Sequence, residues 1–287
     1  MTPLDFESLK AIELNLALEL DRVCREHGLT CFIAYGTLIG ALRHGGFIPW
    51  DDDIDFHMMR DQYEKLLANF PRWRSSEWFQ LVSYHDGSTR FPFAKLVDTR
   101  TMVREQFIRK DLSAGVWVDV FPLDFVETDE SGVPTARARK AFSQVKRYGL
   151  VRSFHMADPS VGLTPLVKVA KRTVCPVAHR LNGVRLSRKV DEAARLAGGS
   201  GDRFVSSIVS EGDPGMLFPR EMFESSETVL FEGRPFAAPV RADELLTLQF
   251  GDWRTPPPED ERRVHVQEAY VLDGFALGDV VGGGGGR

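Results

Sequence analysis

Cysteine is scarce in this chain of 287 residues: Cys24, Cys31 and Cys175 are the three, with no Cys-x-x-Cys pair. So sparse and odd a set excludes a disulfide framework, gives no zinc-site spacing, and suits reduced thiols. Long apolar runs are missing too. None reaches the roughly 18 residues of a spanning helix, so no transmembrane segment is expected. The opening Met1-Thr-Pro-Leu-Asp-Phe-Glu7 has neither a basic n-region nor an apolar h-region. No signal peptide is therefore expected, and the expected location is the cytoplasm, extending to the inner face of the membrane. An excess of positive charge is also lacking. A net charge of −5 argues against a general nucleic-acid binder. No internal repeat is visible.

What is present begins with an ordinary globular composition. Hydrophobic residues make up 43% and charged residues 27%, enough for a sizeable core in one large domain or two small ones. Leu9, Ile12, Leu16, Leu20 and Val23 recur at three- and four-residue steps, so Leu4 to Glu26 reads as an amphipathic helix that Gly28 stops. Cys31 to Ala34 reads as a short strand. Gly36-Thr37 follows it, with Thr37 as the expected cap of a short helix over Leu38 to Arg43. A strand that runs into such a helix start offers free backbone N–H groups to an anion.

The most informative stretch lies next. Asp51, Asp52, Asp53 and Asp55 are four acids within five positions. Asp53, Asp55 and His57 alternate with Ile54, Phe56 and Met58, the period of a strand. Two carboxylates on one face repel each other and lose hydration unless a cation or proton lies between them. An all-oxygen pair suits Mg²⁺ or Mn²⁺. Asp51 shares that face if the strand extends so far, and Asp51/Asp53 stands as the alternative pair.

Further on, Asp61 to Asn69 reads as a helix ended by Pro71. Trp78–Tyr84, Phe91–Val97, Thr101–Ile108 and Val116–Val120 read as strands. Lys95 sits among apolar residues, where a lysine is usually an edge residue with its head in water. Asp119 lies inside a strongly apolar run, where a carboxylate is costly unless paired or bound to metal, so it is the candidate third acid. From 131 to 201 basic residues such as Arg137, Lys146, Arg152, Lys171 and Lys189 recur on a helical pattern. Such a stretch is either a solvated face or a lobe that meets an anionic acceptor or a membrane surface. Strands and turns return near 228, with a short helix from Asp243 to Phe250, and Gly282 to Gly286 reads as a floppy tail.

The stretch from Gly36-Thr-Leu-Ile-Gly-Ala-Leu-Arg-His to Trp50-Asp-Asp-Asp-Ile-Asp55 resembles the signature of the LicD family, which includes phosphocholine transferases. Ala94-Lys95 with Asp98 and Thr101, Trp117 to Asp124, and Phe231 through Trp253 to Pro258 and His265 resemble further blocks of that family. The resemblance covers most of residues 5 to 125 and 215 to 265, and the basic middle matches least. It implies an α+β fold: a nucleotidyltransferase-like mixed β-sheet flanked by helices, with a helical insertion. The expected division is a catalytic core at 1–130, a basic helical insertion at 131–201, a C-terminal part at 202–275 packing on the core, and a flexible tail at 276–287.

The resemblance also implies chemistry. Asp53, Asp55 and Asp119, with Asp51 assisting, would hold Mg²⁺ or Mn²⁺. Gly36 and Thr37 would hold a diphosphate, while Lys95 and Arg43 would meet the leaving phosphate. His44, Trp50 and His265 complete the implied substrate-binding set. The implied donor is a CDP-activated alcohol carrying phosphocholine, phosphoribitol or a similar group. The implied acceptor is a glycan, lipid-linked sugar or small hydroxylated molecule, with peripheral membrane contact through 137–189. Transfer of an NMP from an NTP, with release of pyrophosphate, is the alternative.

Overall fold

The computed structural model describes all residues except 106–107, 113, 161–164, 212, 214–215, 260–261, 263–265 and 283–287. The amphipathic repeat at the start winds into α1 (Phe6–Glu26), after a two-residue strand β1 (Thr2–Pro3). Asp5 caps the helix by accepting the Ser8 N–H at 2.8 Å. Gly28, at φ 65°, turns the chain out of it. The core then runs β2 (Phe32–Ile33), α2 (Tyr35–His44), β3 (Asp55–Met59), α3 (Arg60–Trp73), β4 (Phe79–Val82), β5 (Ala94–Glu105) and β6 (Ala114–Val126). Three helices follow, α4 (Ala136–Met156), α5 (Pro165–Ala178) and α6 (Gly183–Arg195). The remainder is β7 (Phe204–Ser206), α7 (Ile208–Glu211), β8 (Phe218–Pro219), β9 (Ser226–Phe231), β10 (Arg234–Pro239), α8 (Ala242–Phe250), β11 (Val266–Val271) and α9 (Leu277–Val281).

The fold is α+β. One mixed sheet runs β1-β11-β5-β6-β3-β2-β10-β9, with β4 on β5, and β7 and β8 beyond the end of β6. The β3/β6 and β2/β10 pairs are parallel. Even-numbered residues of the central strands (Phe56, Met58, Leu96, Val118, Val120) share one buried core with Ile12, Leu16 and Leu20 of α1. Odd-numbered residues face the other way. There Phe93 and Phe121 pack against Phe142 and Val145 of α4 and Val190 of α6. The helical insertion therefore sits on the face that carries Asp55 and Asp119.

An ion-pair network fastens the insertion. Arg60 donates to both oxygens of Asp124 at 2.7 and 2.6 Å and to Asp191 of α6 at 2.8 Å. Asp191 also accepts from Tyr84 Oη at 2.7 Å and from Arg195 at 2.8 Å. Asp124, set inside β6, is thus an anchor rather than the cap of a turn.

Several local expectations give way. Phe91–Val97 and Thr101–Ile108 do not form two strands. β5 is one strand with an irregularity between Asp98 and Val103. Thr101 Oγ1 donates to the Asp98 carbonyl and accepts the Val116 N–H, both at 2.7 Å, so the strand continues through the bulge. Pro71 does not end its helix, because a proline so near the C-terminus removes a single backbone bond, and α3 runs to Trp73. The tail is not floppy from 276. α9 docks on α1, with Val280 buried and Asn15 Nδ2 bonded to the Val281 carbonyl at 2.8 Å. Most of the glycine run lies outside the described residues.

Candidate active site

Strand register builds the site. Asp119 of β6 lies opposite Lys95 of β5 on one side and opposite Asp55 of β3 on the other. The three residues form a row across three adjacent strands, on one face, because directly paired residues point the same way. Lys95 Nζ lies 3.0 Å from Asp119 Oδ1 and 3.2 Å from Oδ2. Trp117 Nε1 donates to the same carboxylate at 3.3 Å. Lys95 is 4% exposed, so it is not an edge lysine with its head in water. Its ammonium lies 4.0 Å from the Trp117 ring centroid and 4.4 Å from that of Phe91, with Phe93 at 5.7 Å.

The acidic stretch is mostly loop. β3 begins at Asp55, so Asp51 and Asp53 lie on the approach to the strand rather than in it. The ladder still reaches back one residue, since the Asp119 N–H donates to the Ile54 carbonyl at 2.9 Å. Asp55 is held well above the usual carboxylate range, first by burial and then by the charges of Asp53, Asp119 and Asp51, with Lys95 opposing. The field of three other carboxylates therefore converges on Asp55.

α2 closes this side. It starts at Tyr35, earlier than expected, and Thr37 does not cap it. Instead Thr37 Oγ1 accepts the Asp55 N–H at 2.9 Å, tying the helix start to the first residue of β3. Tyr35 has φ 47°, a left-handed conformation that is strained for a bulky side chain. Gly36 is needed for space: a Cβ there would lie 2.5 Å from Asp51 Oδ2. The Asp51 carboxylate thus occupies ground beside the helix N-terminus that the sequence offers to a phosphate.

Of the remaining expected substrate residues, Arg43 and His44 lie at the far end of α2 from Gly36, seven and eight residues beyond it, which is about 10–12 Å along a helix. Arg43 donates to the Trp253 carbonyl at 2.5 Å and so pins the Gly251–Trp253 turn. His44 stands edge-on to Trp50 with centroids 6.3 Å apart, and Arg262 lies 4.0 Å from the Trp50 ring centroid. His265 lies outside the described residues.

Two buried groups near the acids were not singled out in the sequence. His57 is 1% exposed, its Nε2 has no hydrogen-bond partner among the described residues, and burial pushes its pKa down to about 3. It is a neutral packing ring against Tyr35 and Phe121. Glu13 of α1 is 2% exposed. It is held well above the usual glutamate range by burial, then by Asp53, Asp52 and Asp51, with Lys10 opposing. Its signal was legible, because position 13 lies on the apolar stripe of Leu9, Ile12 and Leu16.

Glu13 yields a prediction. A carboxyl whose folded pKa is raised supports the fold below its unfolded pKa and loses that contribution as pH rises through the folded value. Glu13→Gln has no such loss. In chelator the variant and wild type are expected to melt together near ~pH 4. Near ~pH 8 the variant should melt higher, by roughly 2–4 °C per kcal/mol recovered. Parallel melting curves at both pH values would refute the assignment.

Among the described residues, no three His, Cys, Asp or Glu side chains form a ready metal cage. Mg²⁺ does not need one, since it commonly takes one or two carboxylates and completes its shell with water and substrate phosphate. Asp55 and Asp119 offer oxygen donors alone, in a buried place where like charges already crowd, and that chemistry fits such an ion.

Similarity to known proteins bears on what a carboxylate row beside a helix start can do. Residues 28–147 match the family described as LicD/FKTN/FKRP, nucleotidyltransferase domain. The chain is 26% identical over 282 residues to the lipopolysaccharide cholinephosphotransferase LicD of Haemophilus influenzae, covering 95% of this chain and 100% of that relative. Uncharacterized proteins of Rickettsia typhi and Rickettsia prowazekii are each 34% identical over 65 residues, covering 21% and 24% of those relatives. Residues 28–147 thus match the LicD/FKTN/FKRP nucleotidyltransferase domain, and the chain along nearly its whole length is similar to a LicD phosphotransferase.

Proposed function

We propose that this protein transfers a phospho-alcohol, phosphocholine being the first candidate, from a CDP-activated donor to a hydroxyl of a glycan or related acceptor. The observation that carries the reading is the Lys95–Asp119–Asp55 row. It supplies one fixed cation and two carboxylates on one face, beside a helix start. Asp55 and Asp119, with Asp53 and Asp51 close behind, would hold Mg²⁺ or Mn²⁺, which when bound neutralises charge on the donor phosphates.

The acceptor oxygen attacks the phosphorus that bears the alcohol. The bond from that phosphorus to the CMP oxygen breaks, and CMP leaves with the electron pair. The hydroxyl proton passes to a carboxylate of the row, Asp119 being the one that faces Lys95. Lys95, held rigid by Asp119 and three rings, is pre-organised against the phosphate charge that grows at the transition state. The same rings form an aromatic cage, but Lys95 fills it, so recognition of the alcohol falls on other residues. The site is proposed to work in the cytoplasm. No described helix is long and apolar enough to cross a membrane.

The test is donor turnover. Purified protein with Mg²⁺ is offered CDP-choline, CDP-ribitol, CDP-glycerol, CTP and ATP, with lipopolysaccharide or oligosaccharide acceptor present, and both CMP and pyrophosphate are assayed. CMP release from one CDP-alcohol, abolished by chelator, is the expected result. Pyrophosphate from a triphosphate would replace this reading with nucleotidyl transfer.

A further inference from the structure

Outside the row, the structure holds a larger cleft on the same side of the sheet. It encloses about 780 Å³ between α4 and the segment that starts with α7. Arg139, Lys146 and Arg152 line it against one acid, Asp213, and Ser143 and Ser210 add hydroxyls. Arg139 also donates to the Pro134 carbonyl. Lys146 is exposed.

Arg152 is the unusual member. Its Nε is buried without a hydrogen-bond partner among the described residues, and Nη1 reaches the Met156 sulfur at 3.0 Å. Among the described residues it forms no ion pair. Burial lowers its pKa to about 10, so it stays cationic at neutral pH. A cation withdrawn from water with a thioether for company is costly, and an anion that enters the cleft repays that cost. A guanidinium suits a phosphate in particular, through paired N–H donors.

The cleft adjoins the row through Phe91, and the packing beside the row through Tyr35. The Arg152 guanidinium lies 5.6 Å from the centroid of Phe91, the ring that Lys95 contacts at 4.4 Å. Ser210 Oγ lies 2.8 Å from Tyr35 Oη, and the Tyr35 ring packs edge-on against His57, 4.7 Å away. A ligand in the cleft is therefore one side chain, Phe91, from Lys95 of the row.

We infer that this cleft is the acceptor's anion subsite: Arg152 and Lys146 bind the phosphate of a phosphorylated sugar unit and hold its sugar toward the acid row. The inference rests on the transferase reading above and names its acceptor class. The sugar phosphate can be free or can belong to a glycolipid headgroup, since the recognised chemistry is the same.

The experiment reads binding, not turnover. Glucose 6-phosphate, glucose and phosphatidylglycerol vesicles are titrated into the full chain by calorimetry. Wild type, Lys146→Glu, Arg152→Gln and Asp55→Asn are compared, with thermal melts as the check on folding. Saturable binding of glucose 6-phosphate, absent for glucose, is expected. It should weaken at least tenfold in Lys146→Glu and Arg152→Gln and persist in Asp55→Asn. Lys146 is exposed, so its variant tests the cleft even if Arg152→Gln fails to fold. Sugar-phosphate binding with vesicle binding as well would point to a glycolipid source, and without it to a free one. No binding of glucose 6-phosphate to wild type, or equal binding to Lys146→Glu, would overturn the inference. Vesicle binding alone, lost in Lys146→Glu, would overturn it in favour of a lipid surface. Failure here leaves CMP release in the donor panel standing, and failure of CMP release leaves this binding result standing.

Discussion

Asp55→Asn is expected to lower turnover by at least ~10²- to 10³-fold, the range seen when one electrostatic group is removed from a transition-state site. The substitution is nearly isosteric. It spares the backbone bond from the Asp55 N–H to Thr37 Oγ1, so the junction of α2 and β3 is kept. It also spares the Lys95–Asp119 pair. What changes is one charge at the centre of a crowded field, because Asp55 is pushed up by burial and by Asp53, Asp119 and Asp51. The same substitution should therefore raise the melting temperature of the chelated protein while it removes activity. A loss of activity through misfolding would lower both. Steady-state CMP release and a melt on the same sample separate the outcomes, and near wild-type turnover would sink the assignment of Asp55.

Asp191→Ala is the second large effect, on stability. Asp191 is 1% exposed and joins Arg60, Arg195 and Tyr84, so its loss leaves Arg60 with only Asp124 as a buried partner. Removing one member of a buried ionic network costs on the order of 3–5 kcal/mol. Against the cost of burial, its arginines hold Asp191 below the usual carboxylate range, whereas burial outweighs Arg60 at Asp124 and pushes it up. Both carboxylates stand within 2.8 Å of a guanidinium nitrogen and accept its hydrogen bonds. Chemical denaturation should show the loss. Since the network joins α6 to the core, the insertion should also become the first region to exchange amide hydrogens. A change under 1 kcal/mol with unchanged exchange would reject the network as the fastener.

Much of this was legible in the sequence, for stated reasons. Alternation placed Asp55 on a strand, and the cost of a carboxylate in an apolar run picked out Asp119. The helical pattern expected within 131–201 agrees with α4, α5 and α6. What could not be read was register. Lys95 and Asp119 stand 24 positions apart, and nothing local says that they face each other. Their pairing turns an expected edge lysine into a buried cation. Thr37 was misjudged as a cap because the residue that uses its oxygen, Asp55, is 18 positions away. Arg43 and Trp50 are near the acids in sequence, but a ten-residue helix carries Arg43 away from them. Arg152 gave no signal, since an arginine whose Nε is buried and a solvated one look alike on a helical pattern.

The sheet order has a consequence for how the chain is made. β5 and β6, which carry two of the row's three residues, are complete once residue 126 has left the ribosome. Yet β4 covers β5 only at 95–98, the 101–105 stretch gains its outer neighbour from β11, and β2 gains its own from β10, with 266–271 arriving nearly last. Until then two strand edges stand open. Long-range strand closure of this kind is slow, and open edges are what chaperones and aggregation compete for. The C-terminal strands thus work as a latch on synthesis, and a nascent chain cut short before 266 keeps the residues of the row while its central sheet stays unsealed.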